Sequence, residues 1–318
     1  FHGNAAGRQG GGAWLYLLGK GEVVNSTFAA NTTTAPFNAV GQGGAMAITL
    51  GRIDVVNTTF AYNHAAYQAG AVHGGGGGDA NRVITLRNTL FVSNTLNVGQ
   101  MEPSETKWQG YHTNRPLTDG GSNIQFPRYK PFPPYDNEVN NPITANPIYV
   151  DPLLAPLADN GGPSWTMALL PGSPAIDLGT GPCPATDQRG VAREGTCDIG
   201  AYEAVSRLNA TPTSQAIGPG GVAVYRLSVV TATSAEGSFA LVAGNPDPDH
   251  LTLSLAPLNV LPNASAALTI TDAHDAGALR TGLLLTVPIT ATSDDLTLRT
   301  AVRLLIGGSK VYLPVVIR

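Results

Sequence analysis

Apolar residues in this chain come in short runs separated by glycine and asparagine. Early in the sequence, strands are predicted at Trp14 to Leu18, Glu22 to Val24, Ile48 to Leu50, Ile53 to Val56 and Val83 to Leu86. A helix would need apolar positions at three-to-four spacing over roughly ten residues, and each interior glycine would cost about 1 kcal/mol. The runs also recur. GGAWLYLLGKGEVVNSTFAANT from Gly11 and GGAMAITLGRIDVVNTTFAYNH from Gly43 match position by position at an offset of 32 residues. Asn25, Phe28 and Asn31 return as Asn57, Phe60 and Asn63, then 31 residues later as Asn88, Phe91 and Asn94. Phe1 and Asn4 resemble the tail of a further copy. Short strands at this period predict a parallel β-solenoid with one coil per repeat. Stacked coils place equivalent residues about 4.8 Å apart, so inward Asn side chains are expected to bond from coil to coil, with the Phe rings stacked in the core. Asn25, Asn31 and Asn57 also read as glycosylation sequons.

Between Gln100 and Val150 the repeat is lost. Trp108, Tyr111, Phe126, Tyr129, Phe132, Tyr135 and Tyr149 gather there with Pro127, Pro131, Pro133 and Pro134. A long excursion over the solenoid flank is predicted across 101–150, with a return strand near Ser122 to Gln125. Trp108, Tyr111, Tyr129 and Tyr135 are candidate glycan contacts, because flat rings beside polar groups suit sugar faces; the alternative is that the rings glue the loop down. Beyond Glu203 the pattern becomes alternating runs at Val222 to Val230, Phe239 to Val242, Leu251 to Leu255, Ala266 to Thr271, Leu283 to Thr290 and Leu296 to Ile306. Turn residues separate them, which predicts a β-sandwich. One more apolar strand, KVYLPVVIR, closes the sequence. Its Val311, Tyr312, Leu313, Val315, Val316 and Ile317 are the candidate assembly strand.

Length divides the 318 residues into a solenoid over 1–205, with a closing segment at 151–205, and a sandwich over 206–318 that includes the strand 310–318. Only 13% of residues are charged, while Gly and Pro number 38 and 24, a balance that favours strands and turns. With a formal net charge of -4 and scattered basic residues, no stripe is available to track phosphates, so nucleic acid is not expected as a partner. No apolar run approaches the roughly 20 residues of a membrane span. Cys183 and Cys197, 14 apart in a Gly/Pro-rich stretch, read as one disulfide staple and an oxidising compartment. Two reduced buried thiols are the alternative.

The stretch from Asp151 to Glu203 contains DNGGP, LLPGSPAID, TDQRG and CDIGAYE. This combination resembles the C-terminal signature of the choice-of-anchor Q type of secreted bacterial proteins. The resemblance implies an all-β chain built on a right-handed parallel β-helix related in fold to pectate lyases, with export and surface display. It brings no catalytic residues. GPGGVAVYRLSVV and LPNASAALTITD resemble Ig-like modules, so an Ig-like β-sandwich is expected to follow the β-helix. Asp159 to Pro163 reads as a turn. Asp177, Asp187, Arg189, Arg193, Asp198 and Glu203 are expected to form a polar cap over one end of the solenoid.

No catalytic or metal set is assigned. Glu22 and Asp54 occupy matching positions, as do Lys20 and Arg52, which reads as a charged surface ladder at least as well as a carboxylate pair for glycoside chemistry. His2, His64 and His73 form no ligand pattern. No cofactor is expected, apart from weak Ca²⁺ binding by Asp247, Asp249 and His250 or by Asp272 and Asp275 in the sandwich loops. The sequence therefore favours a non-enzymatic extracellular structural protein that assembles with copies of itself, head to tail. Its open N-terminal coil, which begins partway through a repeat, would receive the terminal strand or the sandwich. Polysaccharide binding or cleavage, or surface adhesion, are the alternatives.

Overall fold

The computed structural model describes residues 1–35, 41–75, 82–97, 111–130, 139–193, 195–232, 237–262, 264–275, 282–294 and 296–307. They are all-β, with no helix among them. The chain divides into two compact units, Phe1–Ala204 and Val205–Arg318.

The strands of the first unit are β1 (Ala5–Ala6), β2 (Ala13–Val24), β3 (Thr27–Ala29), β4 (Thr32–Thr33), β5 (Met46–Val56), β6 (Thr59–Ala61), β7 (His64–Ala65), β8 (Val72–His73), β9 (Arg82–Arg87), β10 (Leu90–Val92), β11 (Thr95–Leu96), β12 (Thr118–Asp119) and β13 (Ile124–Phe126). They form three sheets, in the orders β12-β9-β5-β2 with β8 also on β5, β13-β10-β6-β3, and β1-β4-β7-β11. All pairings are parallel, and the sequence offset is the register: Phe28 opposes Phe60, and Phe60 opposes Phe91. Where separate runs were expected, β2 and β5 are each continuous. Gly51 sits inside β5 at a φ of 107°, and the β2–β5 register shifts around Tyr16, so glycine here bends a strand without ending it.

Two corners per repeat take positive φ. Asn25, Asn57 and Asn88 stand at the first, with φ of 46°, 45° and 52°. Asparagine adopts this conformation at little cost, which accounts for its recurrence there. At the second corner stand Ala30, Tyr62 and Ser93. Just beyond it, Asn31, Asn63 and Asn94 point inward and are buried. Each donates both its backbone N–H and its side-chain amide to the next: Asn31 to Asn63 Oδ1, and Asn63 to Asn94 Oδ1, at 2.9 to 3.0 Å. Asn4 extends the row at one end and His112 at the other. The phenyl rings stack alongside, with Phe1 on Phe28 at 4.6 Å, Phe28 on Phe60 at 5.1 Å and Phe60 on Phe91 at 4.8 Å. The core around them holds Met46, Ile48, Ile53, Val55, Ile84 and Leu86.

Two expectations are corrected. Residues 111–126 and 139–150 are not an excursion but continue the stack with unrelated residues. Thr113 bridges to Val72, β12 pairs with β9, β13 pairs with β10, and Ile148 bridges to Ile124. Gln125 takes the place in register that Phe91 holds in the coil before, and it is equally buried. The return strand is Ile124–Phe126.

The segment 151–204 is likewise not a cap across an end. Alternation along β3, β6, β10 and β13 turns Phe28, Phe60, Phe91 and Gln125 inward and leaves Ala29, Ala61, Leu90, Val92 and Ile124 on the outer face. Met167, Leu169, Ala175 and Ile199 cover that face and complete a second apolar core. The segment is therefore a strap along the side of several coils. The corner asparagines, expected to bond mainly to each other, anchor it: Asn25 donates to Thr186 O at 2.6 Å, Asn57 to Asp198 O at 2.8 Å, and Asn88 to Thr180 O at 3.1 Å. Between neighbouring corner asparagines there is one contact, Asn88 to Asn57, at 3.3 Å. The acidic and basic residues of the strap pair internally as Arg189 with Asp187 and Arg193 with Glu203, all with side chains almost fully buried.

The second unit has β14 (Arg207–Thr211), β15 (Ser214–Ile217), β16 (Val222–Val230), β17 (Phe239–Ala243), β18 (Leu251–Ala256), β19 (Asn259–Val260), β20 (Ser265–Asp272), β21 (Leu283–Thr292) and β22 (Thr297–Ile306). These make two sheets, β14-β16-β20-β18 and β15-β22-β21-β17-β19. Every pairing is antiparallel except β15 with β22. Strict alternation of burial along β16 sends Ala223, Tyr225, Leu227 and Val229 into a core shared with Phe239, Leu268, Ile289 and Leu304 of both sheets. The Tyr225 hydroxyl crosses that core to donate to Arg303 O at 2.7 Å.

Candidate functional site

A groove of about 700 Å³ runs across the coils of the first unit. Three glutamines form one wall. Gln9, Gln42 and Gln68 hold equivalent positions in successive coils, joined by parallel bridges. Gln9 donates to Gln42 at 2.9 Å, Gln42 to Gln68 at 3.4 Å, and the row ends on His73, whose Nε2 lies 3.1 Å from Gln68 Oε1. The N–H of Gly75 donates to His73 Nδ1, so Nε2 carries the ring proton and donates to Gln68. Trp14 of β2 forms the rim. It is 61% exposed, and its indole N–H is held by Thr49 of β5 at 2.7 Å. Arg82 and Arg115 line the opposite side, the latter donating to Gly74 O at 3.2 Å.

Burial first, then the Arg82 and Arg115 charges, push the His73 pKa down to about 4. The ring is neutral at pH 7 and too weak a base for efficient general-base chemistry there. What the groove offers is a polar row, one flat aromatic face and two guanidinium groups: a binding surface, not a reactive one. Sequence reasoning missed it. The available signal was Trp14 standing where the next coil has Ala47, and a Gln placed before the Gly pair in both Gln9 and Gln42.

The other candidates are dispersed. Of the proposed glycan contacts, Tyr111 is fully buried and cannot meet a ligand. Tyr129 is 47% exposed, with the Arg128 guanidinium 5.7 Å from its ring centre. Trp108 and Tyr135 lie outside the described residues, as does the strand 311–317. Cys183 and Cys197 form a disulfide within the strap. Lys20 pairs in register with Arg52, and Glu22 with Asp54, all exposed. The two acids line a smaller groove with Arg87 and the segment 182–184. His64 bonds Thr95, and His2 stacks on Trp165, so neither is a ligand partner of His73. In the second unit, Asp247 and Asp272 both face His274.

Acid should act on the first unit through three buried groups. Burial lowers the His112 pKa to about 3, and His73 sits at about 4, so both contribute stability above the unfolded histidine value that is lost as pH falls below it. Asp198 runs the other way. Its pKa is raised to about 7, chiefly by burial, so its contribution is present at low pH and lost as pH rises through 7. Between pH 6 and 4.5 the unfolded chain takes up protons at His73, His112 and His64, whose pKa burial also lowers, against one held at Asp198 in the folded chain, so stability should fall on acidification and fall more steeply in Asp198→Asn. Urea unfolding across this range measures it; stability that climbs on acidification would refute the assignment.

No family model and no curated protein matches the sequence. Among solved structures, 33% of the chain is similar to 53% of S-layer protein SbsC domains 4 and 5, with 10% identity and a TM-score of 0.24. Another 36% match covers 14% of surface layer protein SbsC domains 1–6, with 10% identity and a TM-score of 0.25. The Pseudomonas aeruginosa CupB2 chaperone is similar over 32% of this chain and 57% of its own, with 16% identity and a TM-score of 0.26. The chain thus spans less than two thirds of each of these structures, and likeness at this level carries no functional argument.

Proposed function

We propose that the chain is a secreted surface protein of the choice-of-anchor Q kind. In this reading Phe1–Ala204 is a right-handed parallel β-helix, Val205–Arg318 contains an Ig-like module, and the whole serves as a non-catalytic structural element. The observation that carries the reading is the buried row Asn4, Asn31, Asn63, Asn94 and His112, bonded end to end beside the stacked phenyl rings. Polar groups used this way stiffen a stack and leave nothing in it to react. The Cys183–Cys197 disulfide supports an oxidising, extracellular setting.

Copies then join head to tail, the strand 310–318 or the surface of the second unit of one copy seating on the first unit of the next. The apolar run Val311 to Ile317, between Lys310 and Arg318, supports this role. Sedimentation velocity of the full chain and of a chain ending at Ser309 tests it. The full chain should form heavier species as concentration rises and the shortened one should not. A monomeric full chain would sink the assembly, and a shortened chain that assembles equally well would rule out the strand and leave the surface of the second unit as the donor.

A second reading is favoured by the groove: binding of an acidic polysaccharide, with a sugar ring on Trp14, hydroxyls on the Gln9, Gln42 and Gln68 row, and carboxylates toward Arg82 and Arg115. The same sedimentation runs, repeated with a uronic-acid polymer, separate the two. Co-sedimentation weakened roughly tenfold by Trp14→Ala supports binding, and none with the intact chain rejects it.

A further inference from the structure

The geometry points to a divalent transition-metal site, of the zinc class, formed by Asp247, His250 and His274 in the second unit, with Asp272 as the positioning residue for His274. The three candidate ligand atoms lie within 4.8 Å of one another. They come from two neighbouring segments. Leu251 at the start of β18 pairs with Asp272 at the end of β20, and the Ala273 N–H donates to His250 O at 2.8 Å. This places His250 and His274 side by side just past the paired strands. Their rings stack with centroids 4.2 Å apart and 17° between planes. Asp247 faces both, with Oδ1 at 3.1 Å from His250 Nδ1 and Oδ2 at 3.1 Å from His274 Nε2.

The surroundings hold these groups in place. Asn245 accepts from Asp247 N at 3.1 Å and donates to Leu251 O at 2.8 Å, while Leu251 N–H donates to Asp247 O at 2.8 Å, so the loop is closed on itself. Buried Asp272 accepts from Gly220 N at 2.8 Å and, at 2.5 Å, from His274 Nδ1. That short contact requires the proton of His274 on Nδ1. Nε2 is thereby turned toward the Asp247 carboxylate, 3.1 Å away. Carboxylate, histidine and metal in line, with the carboxylate fixing the tautomer, is the usual second-shell pattern.

Two imidazole nitrogens and one carboxylate oxygen suit Zn²⁺ and its neighbours, not Ca²⁺, which takes six to eight oxygens, so zinc takes the place of the Ca²⁺ expected at Asp247, Asp249 and His250. A tetrahedral ion with bonds of about 2.0 to 2.2 Å keeps its ligand atoms roughly 3.3 Å apart, so the three groups, now within 4.8 Å of one another, would close in on the ion by small side-chain rotations. The fourth position opens on the His250 side, where that side chain is 50% exposed.

Titration calorimetry of the full chain with zinc chloride at pH 7.5 tests the site, with calcium chloride as competitor. One equivalent should bind, unaffected by calcium. His250→Ala, at an exposed position that leaves the fold undisturbed, should weaken binding on the order of 100-fold, and Asp272→Asn by about 10- to 100-fold. Zinc should also raise the melting temperature of the wild-type second unit and leave that of His250→Ala unmoved. No zinc binding, displacement by calcium, or wild-type affinity in a His250→Ala, His274→Ala chain would overturn the proposal.

Discussion

Replacing Asn63 with alanine should remove about 4 kcal/mol of stability from the first unit, among the largest single-residue losses available to it. The side chain is completely buried and makes four hydrogen bonds. Its Oδ1 accepts from Asn31 N and Asn31 Nδ2, and its Nδ2 donates to Phe28 O and Asn94 Oδ1, each at 2.9 Å. Alanine leaves the Asn31 N–H facing an apolar void, an orphan that costs about 1 to 3 kcal/mol on top of the lost bonds, while the Phe28 carbonyl keeps its ladder bond to the backbone of β6. Asn31 Nδ2 and Asn94 Oδ1 lose less, since each keeps another partner in Phe1 O and Asn63 N. Asn63→Asp retains the acceptor but turns a buried carboxylate oxygen onto Phe28 O and Asn94 Oδ1, so it should cost at least as much as alanine. Asn25→Ala gives the contrast: that side chain is only partly buried, and alanine at its corner φ of 46° adds about 1 to 2 kcal/mol of backbone cost to the loss of its bonds to Thr186 O and from Arg193. Urea unfolding of the three variants orders them. An Asn63→Ala loss under about 1 kcal/mol would mean that the row is not what joins the coils.

The same residues explain which features could be read in advance. Stacked coils impose one environment at each register position, so Phe28, Phe60 and Phe91, or Asn31, Asn63 and Asn94, recur at the spacing of the stack itself. Where the environment is met by different chemistry the signal vanishes. Gln125 fills the position next to Phe91, its side chain accepting from Ile143 N at 2.9 Å, and no periodicity marks it. The strap was misplaced for another reason. The apolar outer face made by Ala29, Ala61, Leu90 and Val92 is covered by Met167, Leu169, Ala175 and Ile199, far away in sequence, and a local pattern does not name its partner. The groove and the His250–His274 pair share that difficulty. Gln68, Arg82 and Arg115 come from separate coils, and His274 meets His250 only once β18 has paired with β20.

Gly44→Ala should be still more damaging than loss of an asparagine, with more than about 4 kcal/mol lost or no stable first unit. The cause is proximity, since Gly11, Gly44 and Gly70 all have ordinary negative-side φ and need no special backbone freedom. They stack in successive coils. A Cβ at Gly44 would come within 3.0 Å of the carbonyl oxygens of Gly70 and His64, one at Gly11 would meet those of Gly44 and Thr32, and one at Gly70 those of Thr95 and Tyr111. These are backbone atoms, so no side chain can swing aside. Relief would require the coils to part, yet Gly44 N–H donates to Ala69 O at 3.0 Å and Gly11 N–H to Gly43 O at 3.1 Å, so separation breaks bonds on both sides of the substituted residue. Gly7→Ala is the matched control, because a Cβ there meets nothing within 4 Å; its effect should stay within about 0.5 kcal/mol. Circular dichroism and limited proteolysis of the two variants provide the comparison. If Gly44→Ala melts with the parent protein, the coils are not in the close contact described, and the backbone bonds that tie them together would have to be drawn differently.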